Sequence, residues 1–300
     1  MRRMSLIAVT GFVAAGLTLS ACGSDSLSSS PGAGSTPAGT AAGGGVDQAL
    51  AAKVPAKLKS AGKIVIGTDP TYAPSEMLAG DGKTVEGFDV DVFNAVAAKL
   101  GLKTEWVPAS FDSIILGVTG GKYDVGVSSF TINPDRKKQV NMVSYYKAGT
   151  QWVVAKGNPK GVNIDDACGR NIGVQKGTVQ IDDLTARSKK CTDAGKSAIN
   201  QIVQEGQDQV TADVVSGKTD AMLADSPVGL YAVKQTGQLE ALGAIYDSAP
   251  YGYVVPKDQT DFANLLVEAL KATQKDGSYE AALKKFSVEA GAISDFALNP

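Results

Sequence analysis

Short apolar strands alternate with amphipathic helices along the first half of this chain. Lys63–Thr68 (K-I-V-I-G-T) has the composition of a buried parallel strand, and further strands are predicted at Thr104–Val107 and Tyr123–Val127. Helices are predicted between them at Val90–Leu100 and Ser110–Thr119, where apolar residues recur on one face. This alternation predicts a doubly wound α/β fold, in which helices cover both faces of a mostly parallel sheet.

The last of these strands leads into a turn that is rich in hydroxyl groups and ends in an arginine. Asn133 is a good N-cap and Pro134 suits the first helical position, so a helix is predicted to start there. Arg136 follows, and its planar guanidinium can pair both oxygens of a small carboxylate. The alternative interpretation is a polar loop with a surface arginine. The hydroxyl residues of the turn are Ser128, Ser129 and Thr131.

Residues 1–22 have the features of a processing signal rather than of a folded segment. A basic start is followed by the apolar stretch Leu6–Leu19, which is too short to span a membrane. The segment ends in Leu-Ser-Ala-Cys and resembles a bacterial lipobox, in which Cys22 is acylated and anchors the protein. The alternative is an ordinary secretory peptide with an incidental cysteine. Residues 23–46 are almost wholly small or polar, and we predict a disordered tether over 23–56.

Composition excludes several classes of protein. The formal net charge of -2 gives no reason to expect nucleic acid or an anionic membrane surface as a partner. The chain has no histidine, which excludes Ser-His-Asp triads and His-ligated zinc. Beyond the leader the cysteines are Cys168 and Cys191, which in an exported protein are most simply a disulfide worth about 3 kcal/mol. Two free thiols are the alternative, and no metal site is expected.

Six short motifs follow one another after the leader. They are I-G-T-D-P-T-Y-A-P (66–74), G-F-D-V-D-V (87–92), S-S-F-T-I-N-P-D-R (128–136), G-V-Q-K-G-T (173–178), A-D-S-P (224–227) and D-G-S-Y (276–279). In this order and spacing they resemble the polar amino-acid family of periplasmic-type solute-binding proteins, the capture subunits of ABC importers. The resemblance covers roughly residues 57–290, which is nearly everything after the leader.

The resemblance implies two doubly wound α/β lobes joined by a two-strand hinge, the periplasmic binding protein-like II fold. Lobe I is expected to comprise residues 57–148 and 249–300, and lobe II residues 149–248. The family captures its ligand when the second lobe rotates over the first, and the closed form is recognised by a membrane permease. A monomer held outside the cytoplasmic membrane by the lipid on Cys22 is expected, with no cofactor and no enzymatic activity.

The resemblance also implies a partner for each part of an α-amino acid. Arg136 would pair the carboxylate, together with backbone N–H groups at Thr131 and near Thr178 and Val179. Asp225 would pair the ammonium, with the Ser129 carbonyl and the Thr131 hydroxyl. Two aromatic rings would enclose the ligand side chain, and Asp69 would face its far end. The aromatic pair is Tyr72 and Phe111, and Ser128, Phe130 and Lys176 complete the expected ligand-binding set.

The ligand class remains open between cationic and amide amino acids, with glutamate third. Asp69 could pair a cationic side chain, but glutamine-binding members of the family also carry an aspartate there. Gln175 and Lys176 depart from the family pattern, and Lys176 would add positive charge beside the site. The rival functions are a prephenate-type dehydratase that uses Asp69 or Glu76 as its carboxylate, and a ligand-sensing module for a separate partner.

Overall fold

The computed structural model describes residues 45–300, so the predicted leader, Cys22 and the tether up to residue 44 lie outside the described residues. Within the described part the chain forms eleven β-strands and ten α-helices. The strands are β1 (Lys63–Thr68), β2 (Thr71–Tyr72), β3 (Glu76–Leu78), β4 (Val85–Glu86), β5 (Lys103–Pro108), β6 (Val125–Gly126), β7 (Val140–Ala155), β8 (Asn171–Gln175), β9 (Asn200–Gln204), β10 (Ala221–Asp225) and β11 (Leu239–Pro256). The helices are α1 (Gln48–Ala52), α2 (Ala56–Ala61), α3 (Phe88–Lys99), α4 (Phe111–Thr119), α5 (Pro134–Gln139), α6 (Val179–Asp193), α7 (Gln207–Val215), α8 (Ser226–Thr236), α9 (Thr260–Lys275) and α10 (Ser278–Lys285).

The predicted tether extends too far towards the C-terminus. Residues that we assigned to it form α1 and begin α2, and Asp47 caps α1 by accepting the N–H groups of Ala49 and Leu50 at 3.0 and 3.2 Å. Leu50 and Val54 are buried in the main hydrophobic core. The prediction of disorder up to residue 56 is therefore wrong over its last residues. These residues carry apolar side chains that pack into the core, whereas the sequence before them is almost wholly small or polar.

One mixed sheet runs through the described residues. Its eight strands have the order β5-β1-β6-β11-β7-β10-β8-β9, and β2, β3 and β4 form a separate small antiparallel sheet. The strands at both ends of the large sheet are parallel, β5-β1-β6 on one side and β10-β8-β9 on the other. The long antiparallel pair β7 and β11 joins them. The predicted α/β class with two connecting strands is confirmed.

The long strands β7 and β11 pass between two separate regions of hydrophobic core. One region, around Phe88, Tyr253 and Leu266, draws on both ends of the described chain, and the other, around Trp152 and Leu223, draws on its middle. The pairing of β7 with β11 has register shifts between Leu242 and Tyr246 and between Tyr246 and Ala249. These irregularities lie where the resemblance places a hinge. The lobe boundaries themselves stay a prediction.

Several helix starts differ from the predictions. Asn133 caps α5 as predicted, accepting the Arg136 N–H at 2.8 Å. α3 begins at Phe88, two residues before the predicted Val90, so Asp89 lies inside the helix, where it is fully buried. Asp225 is the N-cap residue of α8. Both acidic residues make tertiary contacts that the local pattern does not reveal.

The predicted disulfide is present. Cys168, just before β8, is bonded to Cys191 in α6, and their Cα atoms are 5.6 Å apart. The cross-link ties α6 to the edge of its hydrophobic core. The start of α6 follows Gly177 and Thr178 directly, so the bridge also holds the helix that presents those residues.

Candidate functional site

The turn after β6 holds two serines whose hydroxyl groups face the protein interior. Ser128 Oγ donates to Glu76 Oε1 at 2.8 Å and accepts the backbone N–H of Asp69 at 3.1 Å. Ser129 has a φ of +50°, and its N–H and Oγ both donate to Asp89 Oδ2, at 2.9 and 3.2 Å. Their side chains therefore bond interior groups, and the ligand contacts expected of Ser128 and Ser129 stay a prediction. The contact expected from the Ser129 carbonyl stays a prediction.

Arg136 is a buried cation that has no acidic partner among residues 45–300. It is 8% exposed, and its guanidinium donates to the carbonyl oxygens of Thr131 and Gly177 at 2.8 and 3.0 Å. The group lies over the rings of Phe111 and Phe130, 5.3 and 5.4 Å from their centroids. Burial lowers the pKa of Arg136 to about 10, opposed by negative charge nearby. The site thus offers a desolvated, oriented guanidinium to an anion.

Asp225 ends β10 and faces the same region as Arg136. One carboxylate oxygen accepts the Tyr72 hydroxyl at 2.9 Å, and the other accepts Gln180 Nε2 at 2.8 Å. Burial raises the pKa of Asp225, while hydrogen bonds from neighbouring side chains and the charge of Arg136 act in the opposite direction. No cation of residues 45–300 forms an ion pair with Asp225, so its direct hydrogen bonds come from neutral donors.

Asp69 is a third buried charge without an ionic partner in the described part of the chain. It is 3% exposed, and its oxygens accept the backbone N–H of Thr71 at 3.1 Å, the Thr71 hydroxyl at 2.8 Å and the Phe111 N–H at 3.1 Å. Gln175 Nε2 donates to it from the other side of the site at 2.8 Å. Burial raises the pKa of Asp69 in spite of these four donors. The carboxylate therefore has a structural role in addition to any contact with a ligand.

The aromatic residues of the predicted set are all in this region, with different partners. Phe111 stacks on Phe130 at a centroid distance of 4.6 Å. Tyr72 instead turns its hydroxyl to Asp225 and packs against Ala224 and Val228. Its hydrogen bond occupies the carboxylate that we expected to receive the ligand ammonium. Enclosure of a ligand side chain between Tyr72 and Phe111 stays a prediction.

The residues expected from the start of α6 lie at the edge of the site. Lys176 Nζ forms ion pairs with Asp112 at 3.0 Å and with Glu205 at 2.8 Å, and its side chain is 48% exposed. The expected ligand contact through Lys176 stays a prediction, and these two carboxylates already neutralise its charge. Thr178 is the N-cap residue of α6, and its hydroxyl donates to the Gln175 carbonyl at 2.7 Å. Val179 begins the helix.

Cavities flank the buried charges. One of about 280 Å³ reaches Arg136 and is lined by Phe111, Phe130 and Gly177, among others. Another of about 490 Å³ lies against β7 and α8 and includes none of the predicted ligand contacts. We therefore place the candidate site at the three buried charges, Arg136, Asp225 and Asp69, and not in the 490 Å³ cavity.

Comparison with known proteins identifies the family. Residues 64–289 match the family described as bacterial extracellular solute-binding proteins, family 3. The chain belongs to this family. Arginine-binding protein ArgT of Corynebacterium glutamicum is 29% identical to it over 252 residues, which cover 83% of this chain and 82% of that protein. The lysine/arginine/ornithine-binding periplasmic protein of Escherichia coli is 28% identical over 232 residues, covering 74% and 86%.

Solved structures of amino-acid-binding proteins share the fold of this family 3 protein. An ancestral arginine-binding protein bound to arginine superposes with a TM-score of 0.69 and 32% identity, covering 75% of this chain and 98% of that one. An ancestral amino acid-binding protein, a precursor of cyclohexadienyl dehydratase, gives a TM-score of 0.69 and 29% identity over 77% and 97%. The fold is thus that of type II periplasmic amino-acid-binding proteins, and the curated relatives are named for binding rather than for catalysis.

The sequence did not reveal several residues that help to build the candidate site. Gln180 donates to both Asp225 and the Thr150 hydroxyl, the latter at 3.0 Å. Thr71 accepts the Gln207 N–H at 3.0 Å through its hydroxyl, which joins β2 to α7. Gln175 was noted only as a departure from the family pattern. Glutamine and threonine carry no charge signal, and only folding shows which of them face a buried carboxylate.

No helix among residues 45–300 combines the length and apolar character needed to cross a bilayer.

Proposed function

We propose that this protein captures a cationic α-amino acid, of the arginine, lysine and ornithine class, outside the cytoplasmic membrane and delivers it to an ABC permease. The observation that supports this proposal is the set of three buried charges that lack ionic partners in the described chain. Two of them, Asp69 and Asp225, are negative, and Arg136 is positive. A ligand with one negative and two positive groups complements this set.

Each group of such a ligand has one partner. Its carboxylate would pair with Arg136, whose orientation is set by the Thr131 and Gly177 carbonyls and by the two phenylalanine rings below it. Its α-ammonium would pair with Asp225, and the side-chain cation with Asp69. Since an unpaired buried charge is costly, a ligand that supplies all three countercharges gains more than one that supplies two.

Ligands of other charge fit less well. Glutamine would leave Asp69 with neutral donors only, and glutamate or prephenate would bring negative charge towards it. Lys176 does not oppose a cation, because Asp112 and Glu205 pair with it at the rim. The names of the relatives, which include arginine-, lysine/arginine/ornithine- and histidine-binding proteins, support the same class. A binding role without catalysis is proposed on these grounds.

Hinge closure would bring the two halves of the site together. The contacts between the predicted lobes here are direct: Tyr72 with Asp225, Asp69 with Gln175, and Arg136 with Gly177. A bound amino acid would exchange the first of these for stronger ionic contacts. Ligand binding then shifts the population towards the closed form, since it contacts that form better than the open one.

The anchoring and delivery steps follow the family pattern. We propose that Cys22 is acylated, that the low-complexity segment after it tethers the folded part, and that the protein acts as a monomer. A membrane permease of the ABC type would recognise the closed form. The family description as extracellular supports the location.

Calorimetric titration of the protein with arginine, lysine, ornithine, glutamine, glutamate and prephenate tests the proposal. At least one cationic amino acid should bind most tightly, and Arg136→Ala should weaken it by at least about 30-fold, because the ligand carboxylate is left unpaired. Arg170→Ala is the matched control, since Arg170 bonds only the exposed Gly161 carbonyl at 3.3 Å. Tighter binding of glutamate or prephenate, or no binding of any amino acid, would overturn the proposal.

A further inference from the structure

Two acidic side chains meet beneath the turn after β6. Glu76 opens β3 and Asp89 lies in the first turn of α3, and both are 0% exposed. The backbone brings them together: the Asp89 N–H donates to the Ser75 carbonyl at 3.1 Å, and a Cβ added at Gly87 would lie 2.0 Å from that same oxygen. Only glycine permits this approach, which brings the start of α3 against the backbone of Ser75 and Glu76.

One oxygen of each carboxyl group accepts hydrogen bonds from the protein. Glu76 Oε1 accepts Ser128 Oγ at 2.8 Å. Asp89 Oδ2 accepts the N–H and Oγ of Ser129 and the Tyr145 hydroxyl, the last at 2.6 Å. The other two oxygens, Glu76 Oε2 and Asp89 Oδ1, are buried and have no N–H or O–H donor among residues 45–300. Beyond the effect of burial, each group acts on the other: Asp89 raises the pKa of Glu76, and Glu76 lowers the pKa of Asp89.

No ion pair to either group exists in the described chain, so no positive charge would compensate two buried anions here. Two carboxylates that share a site cannot both ionise without strong repulsion. A single proton between Glu76 Oε2 and Asp89 Oδ1 would satisfy both orphan oxygens and remove the repulsion.

We propose that Glu76 is protonated and donates its O–H to the Asp89 carboxylate, and that this shared proton positions the Ser128–Ser129 turn for amino-acid binding. The expected effect on amino-acid affinity rests on the proposed function, whereas the existence of the shared proton does not depend on it. Glu76 is a positioning residue here, because it contacts the turn and not the ligand. The candidate site lies on the other side of the same turn, where Ser128 accepts the Asp69 N–H and Thr131 holds Arg136.

The surrounding groups decide which residue keeps the proton. Asp89 receives three donors, which stabilise its anion, whereas Glu76 receives one. Burial and the facing Asp89 raise the pKa of Glu76 well above its usual range, and burial raises the pKa of Asp89 to about 6. The other titratable groups that act on the pair are Asp69, Tyr72, Tyr145, Tyr146 and Tyr253. None of them carries a positive charge, and the charge of Asp69 adds to the rise in the pKa of Glu76.

The sign of the pH effect follows. A group whose pKa is raised on folding contributes below that pKa and loses its contribution as pH rises through it. Above the raised pKa of Glu76 the pair becomes two anions, and the turn that both carboxylates hold must move. Amino-acid affinity should therefore fall on the alkaline side of the profile. Glu76→Gln carries a neutral donor of the same shape, so it should remove that alkaline loss.

The test compares Glu76→Gln, Glu76→Ala and the exposed control Glu86→Gln by arginine titration between neutral and alkaline pH. Glu76→Gln should bind within about threefold of the parent at neutral pH and show a flatter profile, whereas Glu76→Ala should lose about tenfold or more. Glu86→Gln should reproduce the parent profile and so corrects for titration of the ligand itself. A Glu76→Gln profile identical to the parent, or a loss equal to that of Glu76→Ala, would overturn the proposal.

Infrared difference spectroscopy tests the proton independently of ligand binding. The parent protein at neutral pH should show the carbonyl band of a buried, protonated carboxylic acid, and Glu76→Gln should lack it. Asp89→Asn should shift the band, because the acceptor of the Glu76 O–H changes. This second variant provides the test if Glu76→Gln does not fold. Absence of the band in the parent refutes the shared proton even if arginine binds. A band that responds as expected, without any amino-acid binding, refutes the proposed function alone.

Discussion

Asp69→Asn separates recognition of a cationic side chain from the rest of the site. The substitution removes the charge and keeps the shape. Asparagine Oδ1 can still accept the N–H and hydroxyl of Thr71, and its amide can bond Gln175 if that side chain turns its unpartnered Oε1 towards it. The Phe111 N–H, which now donates to the carboxylate at 3.1 Å, loses its acceptor. This orphaned donor should lower the free energy of unfolding by about 1–3 kcal/mol.

The effect on binding is larger for a cationic ligand than for a neutral one. A hydrogen bond to a charged group contributes about 1.5–3 kcal/mol, against about 0.5–1.5 kcal/mol between neutral groups. The loss of about 1–2 kcal/mol for arginine corresponds to a Kd that rises about 5- to 30-fold. Glutamine has no side-chain charge to lose, so the ratio of glutamine to arginine affinity should rise.

Titration calorimetry with both ligands, at neutral pH and low salt, measures that ratio. Asp193→Asn is the control, because Asp193 pairs with Lys189 on an exposed helix surface and should leave both Kd values unchanged. Equal weakening of arginine and glutamine, or unchanged arginine affinity, would refute the assignment of Asp69 to the ligand side chain. In that case its carboxylate would serve only Thr71, Phe111 and Gln175.

Three further outcomes are expected. As pH falls through the raised pKa values of Asp69 and Asp225, both carboxylates take up protons, and arginine affinity should fall. Calorimetric titrations in acidic buffers of different ionisation enthalpy should show that arginine binding releases protons. Proton uptake on binding would contradict this prediction. Replacing Cys168 and Cys191 together by serine should lower the free energy of unfolding in denaturant by about 2–4 kcal/mol, and no change would exclude a stabilising disulfide. Cys22→Ala should release the protein from the membrane fraction of producing cells, and retention there would argue against lipid anchoring.

The fold was predictable from the sequence where local signals were strong. β1 begins and ends at the predicted residues, because a continuous apolar run between turn signals has no competing interpretation. The end of α6 at Asp193 depends instead on tertiary contacts, since the disulfide at Cys191 holds its last turns on the core. The start of the folded part was misplaced for a different reason: α1 has only five residues, too few for helix propensity alone to hold it, and packing of Leu50 in the core stabilises it.

The candidate site was predictable residue by residue only through the family resemblance. The resemblance named Arg136, Asp225 and Asp69 as ligand contacts, which stays a prediction; the structure buries all three, and the charges of Arg136 and Asp225 act on each other. It also named Lys176, whose charge the structure pairs with Asp112 and Glu205. No sequence pattern reveals that pairing, because the three residues come from different segments of the chain and only the fold sets their distances.

The sequence by itself determined the order of strands and helices, the cap of α5 and the kinds of charge that the site contains. Periodicity, cap chemistry and residue type are local properties, and local physics is enough to interpret them. The tertiary structure decided which charges have partners. It paired Lys176 at the rim, left Arg136, Asp225 and Asp69 without ionic partners in the described chain, and placed Glu76 against a second carboxyl group. Charge pairing depends on distances between segments remote in sequence, and those distances exist only once the chain has folded.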